Sequence, residues 1–114
     1  FRLDLNSEAV DRLTADQVQQ LLPIAREAMS NSLRHSGARA GTLSLQLHDG
    51  WVRLIVEDNG VGFDAATLQR QGHGLTNMEM RIKKLGGRLE VVTGAGQGTR
   101  IVCHLPQERH DVKI

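Results

Sequence analysis

Residues 58–63 combine a carboxylate, an amide and two glycines, in the order Asp58-Asn59-Gly60-Val61-Gly62-Phe63. They follow a strand-like run at residues 52–57 that is rich in Val, Leu and Ile, so they stand where a predicted strand breaks into a turn. A carboxylate at that point can accept a hydrogen bond from the amino group of adenine, and it disfavours guanine, which carries a carbonyl there. The glycines let the backbone approach a base closely. Without other motifs, the commoner interpretation is a tight turn capped by Asp58.

A second polar set lies upstream, where apolar residues recur at helical spacing. Glu27, Asn31 and His35 are four residues apart and share one face of a helix predicted over residues 24–35. Each also has an ordinary role open to it on a helix surface. Asn31 could be simply exposed, Glu27 could pair with Asn31 or Arg34, and His35 could interact with the C-terminal helix dipole.

Two glycine-rich segments complete the set. Gly72-His73-Gly74-Leu75 opens a predicted helix that ends at Gly86-Gly87, where the glycines act as a stop. A glycine turn at a helix N-terminus offers free backbone amides and a positive dipole end to phosphate. Gly96-Gln97-Gly98-Thr99 precedes the last predicted strand.

In this order the four motifs resemble the ATP-binding domain of the gyrase, heat-shock chaperone, histidine kinase and MutL superfamily, which has the Bergerat-type ATP-binding fold. Their closest resemblance is to sensor histidine kinases of the nitrate-sensor-like class. The matches fall at residues 26–38, 58–63, 72–87 and 96–99, so the resemblance extends over nearly the whole chain. One glycine motif alone would be weak, whereas four in the expected order are specific.

The resemblance implies ATP and Mg²⁺ as ligands and gives each polar residue a role. Asp58 would recognise adenine, and Thr99 would hydrogen-bond near it. Asn31 would ligate magnesium through its amide oxygen, which suits a cation that prefers oxygen ligands. Glu27 would act as a base on water, tune the surroundings of the metal or orient the phosphoacceptor. The predicted catalytic residues are Glu27 and Asn31, and Asn31 is also the predicted metal ligand. The predicted nucleotide-binding residues are Asn31, His35, Asp58, Asn59, Gly60, Gly62, Gly72, His73, Gly74, Leu75 and Thr99.

Several of these residues keep a second interpretation. Asn59 would face the phosphates or simply stabilise the turn, and Thr99 could be an ordinary strand residue. His73 is interpreted as a side chain near phosphate, in a lid predicted over residues 64–73, rather than as a phosphoacceptor. Leu75 is at core spacing on its helix.

The resemblance implies transfer of the γ-phosphoryl group of ATP to a His on a separate dimerisation helix hairpin, for relay to a response regulator. The pattern of such an acceptor, a helical His followed by an acidic residue, does not occur here: His110-Asp111 lies in a polar tail, and His48-Asp49 lies where a predicted strand meets its hairpin turn. We therefore expect the 114-residue chain to bind ATP without phosphorylating itself. Two alternatives stay open: an anti-sigma-type serine kinase of the same superfamily, and a non-catalytic, nucleotide-gated binding module.

Composition limits the other function classes. The chain has 114 residues, which predicts one domain, and a formal net charge of +1. Its basic residues are spread along the chain, and it has one Trp, two Phe and no Tyr, so we expect no nucleic-acid partner. Cys103 is the single cysteine, which excludes an internal disulfide, and its strand position predicts a small buried hydrophobe.

Localisation can be predicted only in outline. No apolar run approaches membrane-spanning length, and Phe1 in place of an initiator Met indicates a segment of a longer protein. With the resemblance, this predicts a cytoplasmic domain of a membrane-anchored bacterial sensor, without direct membrane contact of its own.

The elements that must position the motifs are also predictable. Residues 1–5 alternate as a short strand, residues 6–13 form a polar connection, and Thr14 and Gln17 form a capping box for the next helix. Pro23 should kink that helix or restart it. Strands at 43–47 and 51–57 are joined by an Asp49-Gly50 hairpin turn.

A final hairpin of residues 88–92 and 99–105 completes the predicted fold. Helices and antiparallel strands in this order predict an α/β (α+β) two-layer sandwich, with helices packed on one face of a mixed, largely antiparallel sheet. The ATP-binding domain is expected to cover residues 1–106, and residues 107–114 form a polar C-terminal tail.

Overall fold

A computed structural model describes residues 2–35, 40–60, 74–93, 96 and 98–106 of the chain. Within these ranges the elements are β1 (Arg2–Leu5), α1 (Ser7–Asp11), α2 (Ala15–His35), β2 (Gly41–His48), β3 (Trp51–Asp58), α3 (Gly74–Lys84), β4 (Arg88–Thr93) and β5 (Thr99–Pro106). The strands form one sheet in the order β1-β2-β3-β5-β4. Only the β1–β2 pair is parallel among the strand pairs of these ranges, so the predicted mixed, largely antiparallel sheet is confirmed.

The core lies between this sheet and the layer formed by α2 and α3. Alternate residues of the neighbouring strands β3 and β5 enter it, because successive side chains of a strand point to opposite faces. The buried residues of this core include Ile24 and Ala28 of α2, Met78 and Ile82 of α3, Val52, Leu54 and Val56 of β3, and Ile101, Cys103 and Leu105 of β5. The prediction for Cys103 is confirmed, and burial raises the pKa of its thiol to about 12.

Two local signals form as the sequence predicts. Asp49 and Gly50 have φ angles of 51° and 79°, so they make the two-residue turn with left-handed backbone that joins β2 to β3. At the start of α2, the N–H of Thr14 donates to Oε1 of Gln17 at 2.9 Å. In return, the N–H of Gln17 donates to Oγ1 of Thr14 at 3.1 Å, which completes the capping box.

The glycine pair after α3 ends the helix and also lets it approach the sheet. The N–H of Gly86 donates to the carbonyl of Lys83 at 2.9 Å, and the N–H of Gly87 donates to the carbonyl of Ile82 at 3.0 Å. With φ of +76° at Gly86, this is a Schellman motif. A Cβ on Gly87 would lie 2.2 Å from the carbonyl oxygen of His104, so the helix end can meet β5 only with a glycine there.

In the N-terminal region one expectation is corrected, and one of the two outcomes expected at Pro23 is excluded. The predicted connection at residues 6–13 contains the short helix α1, whose N-terminus is capped by Asn6 accepting from the N–H of Ala9 at 2.9 Å. The fully buried Ala9 attaches this short helix to the core. The helix α2 does not restart at Pro23, because buried Leu21 and Ile24 hold the chain against the sheet on both sides of the proline. In the ranges that are described, no helix combines the length and the apolar composition needed to span a membrane.

Candidate functional site

Asp58 is the last residue of β3 and is half-buried, so its carboxylate lies at the edge of the core. Its Oδ1 accepts a hydrogen bond from the N–H of Gly60 at 2.8 Å, which closes a tight turn just beyond the strand. Its Oδ2 accepts a hydrogen bond from the hydroxyl of Ser32 on α2. The carboxylate is therefore oriented from two directions, while each oxygen retains a lone pair for a further donor.

Ser32 was not among the residues predicted for the site, although the sequence carries a signal for it. Ser32 is buried and continues the buried face of α2 that includes Leu21, Ala25 and Ala28. A hydroxyl in such an apolar row needs a hydrogen-bond partner, since burying it unpaired costs about 1–3 kcal/mol. Asp58 supplies a partner, and the bond joins α2 to the end of β3.

Thr99 and Gly98 lie beside Asp58 on the neighbouring strand. Asp58 is paired with Thr99 in the antiparallel register, and the buried Thr99 hydroxyl is hydrogen-bonded to that of Thr93 at 3.0 Å. A Cβ on Gly98 would lie 2.2 Å from the carbonyl oxygen of Asp58, and its φ of +76° also favours glycine. The two residues predicted to contact adenine are thus adjacent, and a glycine permits the close approach of their backbones.

Asn59 connects the end of β3 to the residue before β2. Its N–H donates to the carbonyl of Ala40 at 3.1 Å, and its side-chain Oδ1 accepts from the N–H of Ala40 at 3.0 Å. Of the two roles that the sequence left open for Asn59, these contacts support stabilisation of the turn.

Glu27 and Asn31 are both half-buried on α2. They are one helical turn apart, about 6 Å along the axis, and Asn31 directly precedes Ser32. Their side chains offer oxygen atoms, the donors that Mg²⁺ prefers, and one or two protein ligands suffice because phosphate oxygens and waters complete its coordination. The residues therefore fit a magnesium ion shared with a nucleotide.

The helix α3 begins at Gly74, and Leu75 in its first turn is half-buried and packs against the core. Met78 and Ile82, further along the helix, are fully buried. This packing fixes the N-terminal end of α3, whose first N–H groups have no acceptor within the helix and can bind an anion.

Residues 16–109 match the family described as "Histidine kinase-, DNA gyrase B-, and HSP90-like ATPase". The match includes both arms of the site, α2 and the strands that carry Asp58 and Thr99. The chain belongs to this ATPase family.

The relatives of this ATPase domain include sensor histidine kinases. It is 35% identical to "Sensor histidine kinase LiaS" of Bacillus subtilis (strain 168) over 103 residues, which cover 90% of this chain and 28% of LiaS. It is 36% identical to "Sensor protein VraS" of Staphylococcus aureus (strain COL) over 91 residues, which cover 80% of this chain and 26% of VraS. The ATPase domain therefore spans about a quarter of the length of these curated relatives.

Solved structures agree with this ATPase domain in fold. Acinetobacter baumannii histidine kinase AdeS superposes with a TM-score of 0.74 at 18% identity, covering 95% of this chain and 54% of that one. The ATP-binding domain of PrrB from Mycobacterium tuberculosis superposes with a TM-score of 0.68 at 23% identity, covering 80% of this chain and 69% of that one. At these identities the likeness concerns the fold, and it confirms the predicted two-layer α/β architecture.

The structure thus brings together part of the predicted site and leaves another part outside the described residues. Asp58, Gly60 and Thr99 lie close together. Ser32 and Gly98 also contact Asp58, and the sequence motifs had not predicted these two contacts. His35 ends α2, but its side chain lies outside the described part of the ATPase domain. Also outside it are Gly62, Gly72 and His73, the predicted lid at 64–73 and the predicted tail at 107–114.

Proposed function

We propose that this chain is the ATP-binding catalytic domain of a two-component sensor histidine kinase, in which the phosphoacceptor His lies outside the 114 residues. The observation that carries the proposal is the Asp58 carboxylate, oriented by Ser32 and Gly60, in a residue whose backbone is paired in register with Thr99 of β5. A carboxylate held in this way presents an acceptor to the amino group of a planar base. The sensor histidine kinase relative supports the kinase context.

The base-binding end of the site is formed by β3, β5 and the turn that follows β3 as far as Gly60. Asp58 accepts a hydrogen bond from the exocyclic amino group of adenine. Thr99 hydrogen-bonds near the same base, directly or through water. Gly60 and Gly62 keep the backbone close to the ring.

The phosphate-binding end is formed by α2 and the N-terminus of α3. Asn31 holds Mg²⁺ through its amide oxygen, and the ion when bound neutralises charge on the phosphates. The N-terminal amides of α3, at Gly74 and Leu75, point their donors at the phosphate oxygens. The remaining proposed phosphate contacts are His35, Gly72 and His73.

Phosphoryl transfer depends on alignment and charge stabilisation more than on covalent chemistry by the protein. An imidazole nitrogen of the acceptor forms a bond to the γ-phosphorus as the bond from that phosphorus to the bridging oxygen breaks and ADP leaves. Glu27 lies one helical turn before Asn31, so it can orient the acceptor imidazole or tune the surroundings of the metal.

The partners follow from this role. The acceptor His belongs to dimerisation helices elsewhere in the full-length kinase, consistent with relatives about four times as long as the matched segment. A response regulator then receives the phosphoryl group. The domain works in the cytoplasm, where ATP and the regulator are found.

The test is calorimetric titration of ATP with magnesium, beside GTP and an Asp58→Asn variant. We expect saturable binding of ATP, no measurable binding of GTP, and an affinity about 10- to 100-fold lower in the variant, since a charged acceptor is replaced by a neutral one. Equal binding of ATP and GTP would contradict adenine recognition by Asp58. Phosphoryl transfer to a Ser of a small anti-anti-sigma partner would favour the serine-kinase alternative.

A further inference from the structure

The face of the sheet opposite the helices carries a row of basic side chains across three strands. Arg53 of β3 is paired with His104 of β5, and His104 is paired with Arg88 of β4. These residues alternate with the core residues of their strands, so their side chains point away from the helices. Two guanidinium groups, which are charged at every physiological pH, are thus anchored about 10 Å apart on the two strands that flank β5.

The row lines a pocket of about 310 Å³ at the end of the sheet where the β2–β3 turn lies. Among the described residues, Trp51, His48 and Asp49 complete the lining. His104 is buried in the deeper part, whereas the other three are exposed at the rim. A pocket of this volume is at the lower end of the range for small-molecule sites.

Arg53 has a hydrogen bond that the protein does not satisfy. Its Nε is buried without a hydrogen-bond partner, and it is the single such side-chain atom in the part of the chain that the structure describes. Within that part, no carboxylate forms an ion pair with Arg53 or Arg88. A buried charged donor without an acceptor is unfavourable, so an anion in the pocket would supply what the guanidinium lacks.

The charges of the lining favour a monoanion. Asp49 is the single carboxylate that lines the pocket among the described residues, and it already lies 3.3 Å from Nε2 of His48. The neighbouring Glu90 is outside the lining and is engaged with His104 at 3.0 Å. With both histidines neutral, the lining has an excess of one positive charge, which matches a carboxylate better than a phosphate dianion.

The shape of the pocket adds a second requirement. The two oxygens of a carboxylate fit the planar fork of a guanidinium, but a carboxylate alone would leave most of the volume empty. Trp51, which is 38% exposed, offers the flat face of its indole to the remaining space. Aromatic rings pack well against such a face.

We propose that this pocket binds a small organic acid in which one carboxylate is joined to a flat apolar body. The carboxylate accepts hydrogen bonds from Arg53 and is stabilised by the charge of Arg88, and the body packs against Trp51. The pocket is distinct from the nucleotide site, because Arg53 is five residues or about 17 Å from Asp58 along β3 and points to the other face of the sheet.

Titration with benzoate tests the proposal, with benzamide as the uncharged analogue and inorganic phosphate as the competing type of anion. Binding is measured by calorimetry and by the emission of Trp51, which is the single Trp of the chain and lines the pocket. We expect benzoate to bind saturably and to change the Trp51 emission. Benzamide and phosphate should bind at least tenfold more weakly, since one lacks the charge and the other lacks the apolar body.

Three variants locate the site. Arg53→Gln should weaken benzoate binding at least tenfold and Arg88→Gln about fivefold, because each removes a positive charge from the lining. Arg100→Gln is the matched control and should change the Kd less than about twofold. Arg100 is on the same face of the sheet, outside the lining, and is paired with Glu57 at 3.6 Å.

The thiol of Cys103 reports on folding in every sample, because it is buried and its pKa is raised to about 12, so it reacts with a maleimide only if the fold is lost. Should Arg53→Gln unfold, the exposed Arg88 provides the variant that decides. Absence of saturable benzoate binding to the folded chain would overturn the proposal. Equal affinity for benzamide, tighter binding of phosphate, or equal losses in Arg88→Gln and Arg100→Gln would also overturn it.

Discussion

At the scale of residues, the sequence selected the polar groups of the candidate site, and the structure adds the contacts that orient Asp58. Asp58 and Thr99 belong to short motifs, so their types and order were enough to select them. The bond from Ser32 to Asp58 joins residues 26 apart, and it depends on how α2 packs against β3. Sequence spacing alone does not report that packing.

Ser32→Ala should weaken ATP binding because the Asp58 carboxylate loses one of its two orienting donors. We expect a loss of about 1 kcal/mol, or about fivefold in Kd, measured by calorimetry. Ser30→Ala, on the same helix and half-buried, is the control and should leave the Kd unchanged. Equal Kd values for the two variants would show that Ser32 does not orient the carboxylate.

Gly98→Ala should destabilise the fold more than Gly50→Ala, although both glycines have similar positive φ angles, +76° and +79°. The left-handed backbone costs either variant about 1–2 kcal/mol. At Gly98 the added Cβ also overlaps the backbone of Asp58, whereas at Gly50 nothing lies within 4 Å. We expect a total loss of about 3 kcal/mol or more at Gly98, measured by urea unfolding. Similar losses in the two variants would contradict the close approach.

At the scale of elements, residues close together in sequence determine most of the turns and helix ends. The Asp49-Gly50 turn, the Thr14–Gln17 capping box and the Gly86-Gly87 stop form as predicted because each is specified within a few residues. The short helix α1, and the continuation of α2 past Pro23 without the restart that was one of two expected outcomes, occur where tertiary burial decides instead. Ala9 and Ile24 are both almost fully buried, and that burial was not visible in the local pattern.

Strands β4 and β5 are joined by a side-chain pair whose strength depends on pH. Glu90 Oε1 lies 3.0 Å from Nε2 of the buried His104, and this hydrogen bond lowers the pKa of Glu90 below its usual value of 4.5. Because the pKa is lower in the folded state, the stabilisation is present above about pH 4.5 and is lost as the pH falls through the folded-state value. Glu90→Gln should therefore lower the free energy of unfolding at neutral pH, by less than about 1 kcal/mol since Glu90 is half-exposed.

The difference between Glu90→Gln and the original chain should shrink when urea unfolding is repeated below pH 4. Glu57→Gln is the control, since the Glu57–Arg100 pair is longer, at 3.6 Å, and both side chains are about half-exposed. A difference at Glu90 that stays constant from neutral to acid pH would exclude the ionised carboxylate as its source.

At the scale of the whole molecule, the fold class was predictable, and the aliphatic groove between β1, α1 and the N-terminal half of α2 was not. The four motifs specify the ATPase family, and the family specifies the sandwich. Leu3, Val10 and Leu22 line this groove and belong to three different elements, β1, α1 and α2. The sequence pattern had predicted a polar connection where α1 lies. A surface made from such separate pieces appears only when their packing is known.

The isolated chain should bind ATP and yet form no phosphohistidine. Its five His residues lack the acceptor pattern, and the proposed acceptor is on another segment. Incubation with γ-labelled ATP, followed by detection of acid-labile phosphate, is the measurement. Labelled phosphohistidine on the 114-residue chain would refute the proposal that the acceptor His lies on another segment. Labelling of the full-length protein, but not of the 114-residue chain, would support it.

The position of Trp51 has an optical consequence. It is the single Trp of the chain and opens β3, seven residues or about 23 Å from Asp58 at the other end of the same strand. Its indole fluorescence should therefore change when the sheet unfolds and stay nearly constant when a nucleotide binds near Asp58. The Trp51 emission of one unlabelled sample can then give a thermal melting curve at any nucleotide concentration. In these curves nucleotide binding should be seen only as a rise in Tm.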